Sequence, residues 1–371
     1  MKKENKKEGG VLSSVLPDSF VVRRARQPLR QNPNTVPVRE DSKTVVISVH
    51  DYNEETYQVH KPVSINDCFS FFHTNTISWI NIDGIRKIEV ETVCNKFGIH
   101  ALLQEDILSI SQRPKMEEVG GVLFCLLNML YYNPIQQTIE QEQLSIVLSS
   151  NLILSFQDDA TRDVFTPLRE KLKTTNSRVR QGGSDYLFYA MLDLVVDNFF
   201  IVTDLLGDKI EQLEEEIVRN SNQRCLVKIN SLRKETLVLK RNIGPVRDLV
   251  SGLIKSDGAL LSERSIKYFK DVHDHVVQAY ELTETYRDTM TSLQDLYISN
   301  VNLRQNEVMK LLAIVTVVLA PFIVISGFWG MNFKNPLFVN SSFFGLWFPF
   351  LLMFSISTGL FYYFKKRKKW F

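Results

Sequence analysis

Oxygen-bearing side chains recur at helical spacing on the segment that leads into the most apolar part of the chain. Steps of three or four residues trace one face, here called the seam: Asp295, Ser299, Asn302, Asn306, Met309, Leu312, Thr316, Ala320, Ile323, Gly327 and Gly330. The mean step of about 3.5 residues predicts a helix that presents this face to neighbouring helices. The first part of the seam carries a carboxylate and amides, whereas the later part is small or apolar except for the Thr316 hydroxyl.

If several copies of this helix packed around an axis, the seam would line a tube. Asp295 would form an acidic ring at the mouth of the tube, with Asn306 beyond it. Met309 and Leu312 would form a narrow apolar constriction, which can close by dewetting. Ordinary coiled-coil packing, with polar residues that fix the register, explains the same periodicity, and spacing alone does not separate the two interpretations.

Two uncharged runs predict that this segment crosses a membrane. Residues 311–329 form the first run and residues 343–364 the second, and Lys334 is the one charged residue between Leu311 and Phe364. Nineteen helical residues span roughly 28 Å, which is enough for a hydrocarbon core. The short link at 330–342, containing an external loop, predicts a hairpin of two transmembrane helices. The basic tail at 365–371 places both chain ends in the cytoplasm by the positive-inside rule.

The composition predicts that the rest of the chain is a soluble body. The 371 residues are 44% hydrophobic and 23% charged, with a net charge of +2, which excludes a wholly disordered chain, a collagen-like repeat and a polytopic membrane protein. Both ends are basic and the body between them is acidic, so the net charge gives no reason to expect nucleic acid as a partner. Residues 1–42 are predicted to be a disordered basic tail. Four cysteines without a pairing pattern predict buried thiols in a reducing compartment.

The residue pattern divides the body into two parts. Residues 43–183 mix strand and helix patterns and predict an α/β (or α+β) domain, whereas residues 184–310 predict a helical stalk with Ser184 as an N-cap. One helix is expected from about Ser262 to Phe328, roughly 100 Å long. His273 and His275 lie on opposite sides of that helix, so they cannot share one ion and are expected on a solvated surface.

A group of short motifs is spread along the chain. The sequence Gly330-Met331-Asn332 stands at the end of the first apolar run. The other motifs are Trp79–Gly84, Glu105–Leu108, Gln112–Lys115, Tyr268–Val272, Asn306–Lys310 and Pro321. Together these motifs resemble the CorA family of magnesium transport proteins, over roughly residues 43–371.

The resemblance implies a homopentameric funnel in the cell (inner) membrane that admits Mg²⁺ down its electrochemical gradient. It implies a selectivity filter of Gly330, Met331 and Asn332, and a pore lined by the seam, including Thr316, Ala320 and Ile323. It also implies that cytosolic Mg²⁺ bound between subunits controls gating, through Asp106 with Asp271 and, at a weaker site, Glu105 with Asp193. Mg²⁺ is thus expected as both cargo and regulator, with lipid, divalent metal ions and other copies of the chain as partners.

Three departures from the family pattern leave ion preference open. The external loop contains Lys334 and no acidic residue, and Ala320 and Ile323 stand where members often carry methionine and threonine. Co²⁺ or Ni²⁺ as cargo, and a zinc-transporting relative of the same fold, therefore remain alternatives. A non-conducting, membrane-anchored oligomer is an alternative from another class. An enzyme is not expected, because no nucleophile–base pair or phosphate loop is evident.

Overall fold

A seven-stranded mixed sheet forms the centre of the amino-terminal part of the chain. The computed structural model describes residues 39, 41–42, 44–73, 76–110, 112–159, 162–256, 258–331 and 347–367. The strands are β1 (Val46–Tyr52), β2 (Tyr57–His60), β3 (Ile77–Asp83), β4 (Lys115–Val119), β5 (Val122–Asn133), β6 (Thr138–Leu148) and β7 (Leu152–Gln157). Their order is β2-β1-β3-β7-β6-β5-β4, with β3 and β7 parallel and all other neighbours antiparallel.

Helices cover both faces of this sheet, which explains why its central strands are apolar on both sides. A 3-10 helix (Asp67–His73), α1 (Lys87–Lys96) and α2 (Ala101–Leu108) lie over one face. The opposite face carries α3 (Thr166–Lys173), α4 (Arg178–Gln181) and the first half of α5 (Ser184–Arg219). The α/β domain is therefore a three-layer sandwich.

Three long helices follow and share their core with the sheet. Helix α5 packs against α6 (Gln223–Lys255) and α7 (Glu263–Trp329), and buried residues continue from the sheet into all three. The side chains of Asn222 and Ser262 accept backbone N–H groups at the starts of α6 and α7. The predicted boundary at residue 183 therefore lies inside one continuous hydrophobic core.

The predicted N-cap at Ser184 is wrong by one residue. Gly183 is the N-cap of α5, and the Ser184 hydroxyl donates instead to the carbonyl oxygens of Ser149 and Ser150. The hydroxyl thus ties α5 to the turn before β7 rather than to its own first turn. The same turn separates β6 from β7.

Helix α7 extends beyond the body as one continuous helix. It has 67 residues, as the lack of Gly and Pro over most of its length predicts, and it continues through Pro321. Near the point where α7 leaves the body, Asn300 and Arg304 donate to Ile217 and to Asn220 at the α5–α6 turn. Beyond them, α8 (Phe348–Arg367) packs antiparallel along it.

Candidate functional site

The seam on α7 is exposed over its whole length in the single chain. Met309, Leu312 and Ile323 are 60, 61 and 72% exposed, although they are large and apolar. Asp295, Asn306, Thr316, Ala320, Gly327 and Gly330 are exposed as well. Soluble helices bury such apolar side chains, so this part of α7 faces lipid or further protein.

Helix α8 covers the side of α7 opposite to the seam. Phe322 and Phe354 pack edge to face at 5.5 Å, and the Ser357 hydroxyl donates to the Val318 carbonyl oxygen at 2.9 Å. At about 100° per residue, the covered positions Ile314, Val318, Phe322, Ile325 and Trp329 centre about 180° from the seam positions between 309 and 327. The second apolar helix therefore leaves the seam open to other molecules.

Thr316 keeps an oxygen available on the seam. Its hydroxyl donates to the Leu312 carbonyl oxygen at 2.8 Å, within the helix. A hydroxyl oxygen retains acceptor capacity while it donates, so Thr316 can still accept a hydrogen bond from water.

Gly330 ends α7 with ordinary helical backbone angles. Its N–H donates to the Ser326 carbonyl oxygen at 2.9 Å, and its φ is −76°. The backbone conformation therefore does not require a glycine at this position. What distinguishes Gly330 is that it has no side chain. Met331 is 60% exposed. Asn332, the third residue of the predicted filter, lies outside the described residues.

Asp106 already has a cationic partner within the subunit. It lies on α2, and its carboxylate pairs with the Lys115 ammonium on β4 at 2.6 Å. Lys115 also pairs with Glu117 at 2.8 Å. Burial opposes the charge on Lys115, but hydrogen bonds from its ammonium to Asp106 and Glu117 outweigh burial and raise its pKa. Any cation that binds Asp106 therefore competes with Lys115.

Asp193 and Asp271 come together on the helical side of the molecule. Asp193 on α5 lies close to Asp197, and potential ligand atoms of Asp193, Asp197 and His275 are all within 4.8 Å of one another. Burial raises the pKa of Asp193, and the charges of Asp197 and Asp271 add to this rise while His275 opposes it. The cluster therefore favours a cation, and its imidazole suits Co²⁺ or Zn²⁺ better than Mg²⁺.

The expectation that both histidines lie on a solvated helix surface is wrong for His275. It is half-buried, and its Nδ1 is buried without a hydrogen-bond partner among the described residues. His273 is also half-buried, with its Nδ1 3.7 Å from Asp274. The two histidines do lie on different sides of α7, as the spacing predicts, but His275 faces carboxylates of α5.

The sheet separates the two members of each predicted pair of carboxylates. Asp106 and exposed Glu105 lie on α2, on one face of the sheet, whereas Asp193 and Asp271 lie on helices of the other face. No hydrogen bond or ion pair joins the two sets in the part of the chain that the structure describes. A metal ion that contacts Asp106 and Asp271 together therefore requires two subunits.

Sequence reasoning missed Lys115, Asp197 and His275 as members of these sites. Lys115 belongs to the Gln112–Lys115 motif, and its position two residues from Glu117 on a strand places both side chains on one face. Asp197 follows Asp193 by four residues, which places both on one face of α5. These two spacings were available signals, but the contact of His275 with α5 depends on tertiary packing.

The fold matches solved structures of a known class of transporter. The complete structure of the CorA magnesium transporter from Methanocaldococcus jannaschii superposes with a TM-score of 0.73 at 23% identity, covering 87% of this chain and 98% of that one. This chain therefore shares the fold of that structure, an α/β sandwich continued by a long helix and a second apolar helix.

Sequence comparison identifies the family. Residues 74–366 match the family model described as CorA-like Mg²⁺ transporter protein. The chain is 35% identical to the cobalt/magnesium transport protein CorA of Thermotoga maritima, over 80% of this chain and 84% of that protein. It is 26% identical to the cobalt/magnesium transport protein CorA of M. jannaschii, over 81% of this chain and 93% of that protein. The chain belongs to the CorA-like Mg²⁺ transporter family, whose members are membrane transporters.

Proposed function

We propose that this chain is one subunit of a homopentameric channel through which Mg²⁺ enters the cytosol. The observation that carries the proposal is the seam, which is exposed on the side of α7 opposite to α8. In a ring with α8 outermost, five seams face the axis, and Met309 and Leu312 form the apolar constriction that dewetting closes. One subunit alone has too little apolar surface to enclose a pore.

The membrane arrangement follows from the two apolar helices. Residues 311–329 of α7 and the antiparallel α8 form a hairpin across the cell membrane, the inner membrane where a cell has two. The sheet domain and the basic residues after Phe364 then lie together in the cytoplasm. A membrane potential that is negative inside contributes about 2.3 kcal/mol per charge per 100 mV, so about 4.6 kcal/mol for a divalent ion. No chemical energy source is needed for uptake.

The filter selects ions by hydrogen bonds to a hydrated cation. Mg²⁺ dehydrates reluctantly and prefers oxygen ligands. Five Asn332 side-chain carbonyls and five Gly330 backbone carbonyls hold its water shell without removing it. The absent side chain at Gly330 leaves room for the hydrated ion.

Cytosolic Mg²⁺ closes the channel by binding between subunits. Asp106 of one subunit and Asp271 of the next hold one ion, and Glu105 and Asp193 hold a second, weaker one. The sheet that separates these carboxylates within one chain supports this arrangement. When Mg²⁺ falls, repulsion between the carboxylates loosens the ring and the constriction hydrates.

Ion flux into liposomes tests the proposal. Purified full-length protein is reconstituted, and uptake of Mg²⁺, Co²⁺, Ni²⁺ and Zn²⁺ is compared at low and high internal Mg²⁺. We expect Mg²⁺ uptake that high internal Mg²⁺ suppresses, and its loss in Asn332→Ala. Asn340→Ala is the matched control, because it removes the same side chain from the same loop, and it should conduct.

Two outcomes would contradict the proposal. No ion-dependent signal, or the same signal from the wild type and Asn332→Ala, would favour a non-conducting oligomer. Zn²⁺ uptake without Mg²⁺ uptake would favour the zinc-transporting alternative.

A further inference from the structure

A basic groove lies on the cytoplasmic body, between segments that precede the seam in the chain. Its cavity volume is about 960 Å³, and it opens between α6, the Gln112–Pro114 segment before β4, and Tyr280 of α7. A volume of this size is at the upper end of the range of small-molecule sites. None of the carboxylates discussed above lines it.

The walls of the groove carry an excess of positive charge. The lining includes Arg113, Lys240, Arg241 and Arg247 but one carboxylate, Asp248, among the described residues. Lys240 pairs with Glu284 at 2.6 Å and Arg247 with Asp248 at 2.9 Å, so two of the cations are already balanced. Arg113 and Arg241 are exposed and form no ion pair within the described part of the chain. Two guanidinium groups, one from the segment before β4 and one from α6, are therefore available to a ligand.

The sequence of α6 shapes the space between these cations. Lys240, Gly244 and Arg247 follow one another at steps of four and three residues, so they share one face of the helix, and Arg241 lies at the edge of that face, three residues before Gly244. Gly244 leaves a gap in that face, where an added Cβ would lie 3.3 Å from the Tyr280 ring. The Arg247 guanidinium stacks on the same ring, with its carbon 4.8 Å from the centroid. The groove therefore offers an aromatic wall beside its charged groups.

The floor of the groove is polar and held in place. Asn242 is 3% exposed, and its side-chain oxygen accepts from Asn128 at 2.8 Å. The Asn242 amide also donates to Gln141 at 3.1 Å and to the Val238 carbonyl oxygen at 2.8 Å. This network fixes the α6 face against β5 and β6, so the cations stand on a rigid support.

We propose that this groove binds a polyphosphate anion of the kind that a nucleotide carries. Planar guanidinium groups bind phosphate oxygens through paired hydrogen bonds, and Arg113 and Arg241 contribute one such group each from two different segments of the lining. The cavity volume of about 960 Å³ leaves room for a chain of phosphates, and Tyr280 lines the same cavity. Anion binding in this groove does not require ion conduction, and no glycine-rich phosphate loop takes part in it.

Binding to the purified full-length protein tests this site. Calorimetric titrations with inorganic triphosphate and with ATP are run in a chelating buffer without divalent ions. The double variant Arg113→Gln/Arg241→Gln should weaken binding about tenfold or more, because it removes two charge-assisted contacts. Arg224→Gln/Arg233→Gln is the matched control, since it removes two exposed arginines of α6 that lie outside the groove. The control should bind as the wild type does.

A variant that keeps the charge distinguishes a site with defined hydrogen-bond geometry from non-specific electrostatic attraction. Arg241→Lys keeps the charge but loses the paired geometry, so we expect an intermediate loss of affinity. Equal affinity for triphosphate and ATP supports a site for the phosphates alone, and tighter ATP binding supports an additional contact with the nucleoside. No saturable binding, or equal weakening in the two double variants, would overturn the proposal. All variants change exposed side chains, and unchanged melting temperatures would confirm that they fold.

Discussion

At the residue scale, two of the four carboxylates that we propose as regulatory ligands have a neighbouring group in their own chain. Lys115 pairs with Asp106, and His275 lies beside Asp193. In the proposed sites, a regulatory ion would therefore replace or rearrange these neighbours. Competition with Lys115 would then raise the ion concentration at which the Asp106 site responds.

Replacement of Lys115 should make the channel more sensitive to Mg²⁺. Lys115→Met leaves Asp106 without its cation, so the Mg²⁺ concentration that protects the protein from protease should fall several-fold. Lys173→Met is the control, because it breaks an exposed pair with Glu170 away from the site. Unchanged or weaker Mg²⁺ protection in Lys115→Met would show that this lysine does not compete with the ion.

A buried carboxylate on β6 should make stability depend on pH. Glu142 is 6% exposed, and burial raises its pKa to about 7, although the N–H groups of Asp158 and Asp159 donate to it at 2.9 and 2.8 Å. The folded state therefore binds more protons than the unfolded state between about pH 4.5 and about pH 7, and this group's contribution to stability is lost as pH rises through that range.

Substitution by glutamine should remove this dependence. Glu142→Gln keeps an acceptor oxygen, so its melting temperature should exceed that of the wild type by more at about pH 8 than at about pH 5. In the control Glu140→Gln this gain should be absent, since hydrogen bonds from Asn133 and Arg162 lower the pKa of Glu140. The same melting-temperature difference at both pH values would contradict the assigned role of Glu142.

At the element scale, one helix, α7, carries both Asp271 of the proposed regulatory site and the seam of the proposed pore. Its first half is held by the body through buried residues such as Phe269, Val272 and Val276, and its second half carries the seam. In the proposed channel, a displacement at Asp271 would therefore move the constriction as part of the same helix. The turn between α5 and α6 contacts this helix through Asn220 and Arg304, just before the first apolar run.

A polar residue at the constriction should hold it open. Leu312→Ser lets water enter the seam, so Mg²⁺ flux at high internal Mg²⁺ should rise several-fold above that of the wild type. Val315→Ser is the control, because Val315 is 46% exposed but lies about 100° from the seam. Low flux in Leu312→Ser, or an equal rise in both variants, would place the gate elsewhere.

The long elements could be predicted from sequence because their signals are local. The run without Gly or Pro that precedes Pro321 predicts α7, and isolated cysteines predict four buried thiols, and both predictions are confirmed. The pair of Asp106 with Lys115 joins α2 to an edge strand, and His275 meets α5 through helix packing. Such contacts depend on how elements pack, which periodicity within one element does not specify. The N-cap of α5 was misplaced because Ser184 bonds to a turn that is distant in sequence.

At the scale of the whole molecule, two features of the single chain fit the proposed ring. The seam is exposed, and the carboxylates that we propose for one metal site, Asp106 and Asp271, lie on opposite sides of the sheet. Both features are explained by a ring in which each subunit presents α2 to the α5–α7 surface of the next. The acidic body, the bare end of α7 and the hairpin with α8 then serve one path for a divalent ion.

Thiol accessibility on α7 tests most directly whether the seam lines that path. Thr316→Cys and Val315→Cys place a thiol on the seam and on the neighbouring face, and the four native cysteines are buried. A charged, water-soluble thiol reagent should block Mg²⁺ flux through Thr316→Cys in liposomes and leave Val315→Cys and the wild type conducting. Block of Val315→Cys with undiminished flux through Thr316→Cys would contradict a pore lined by the seam.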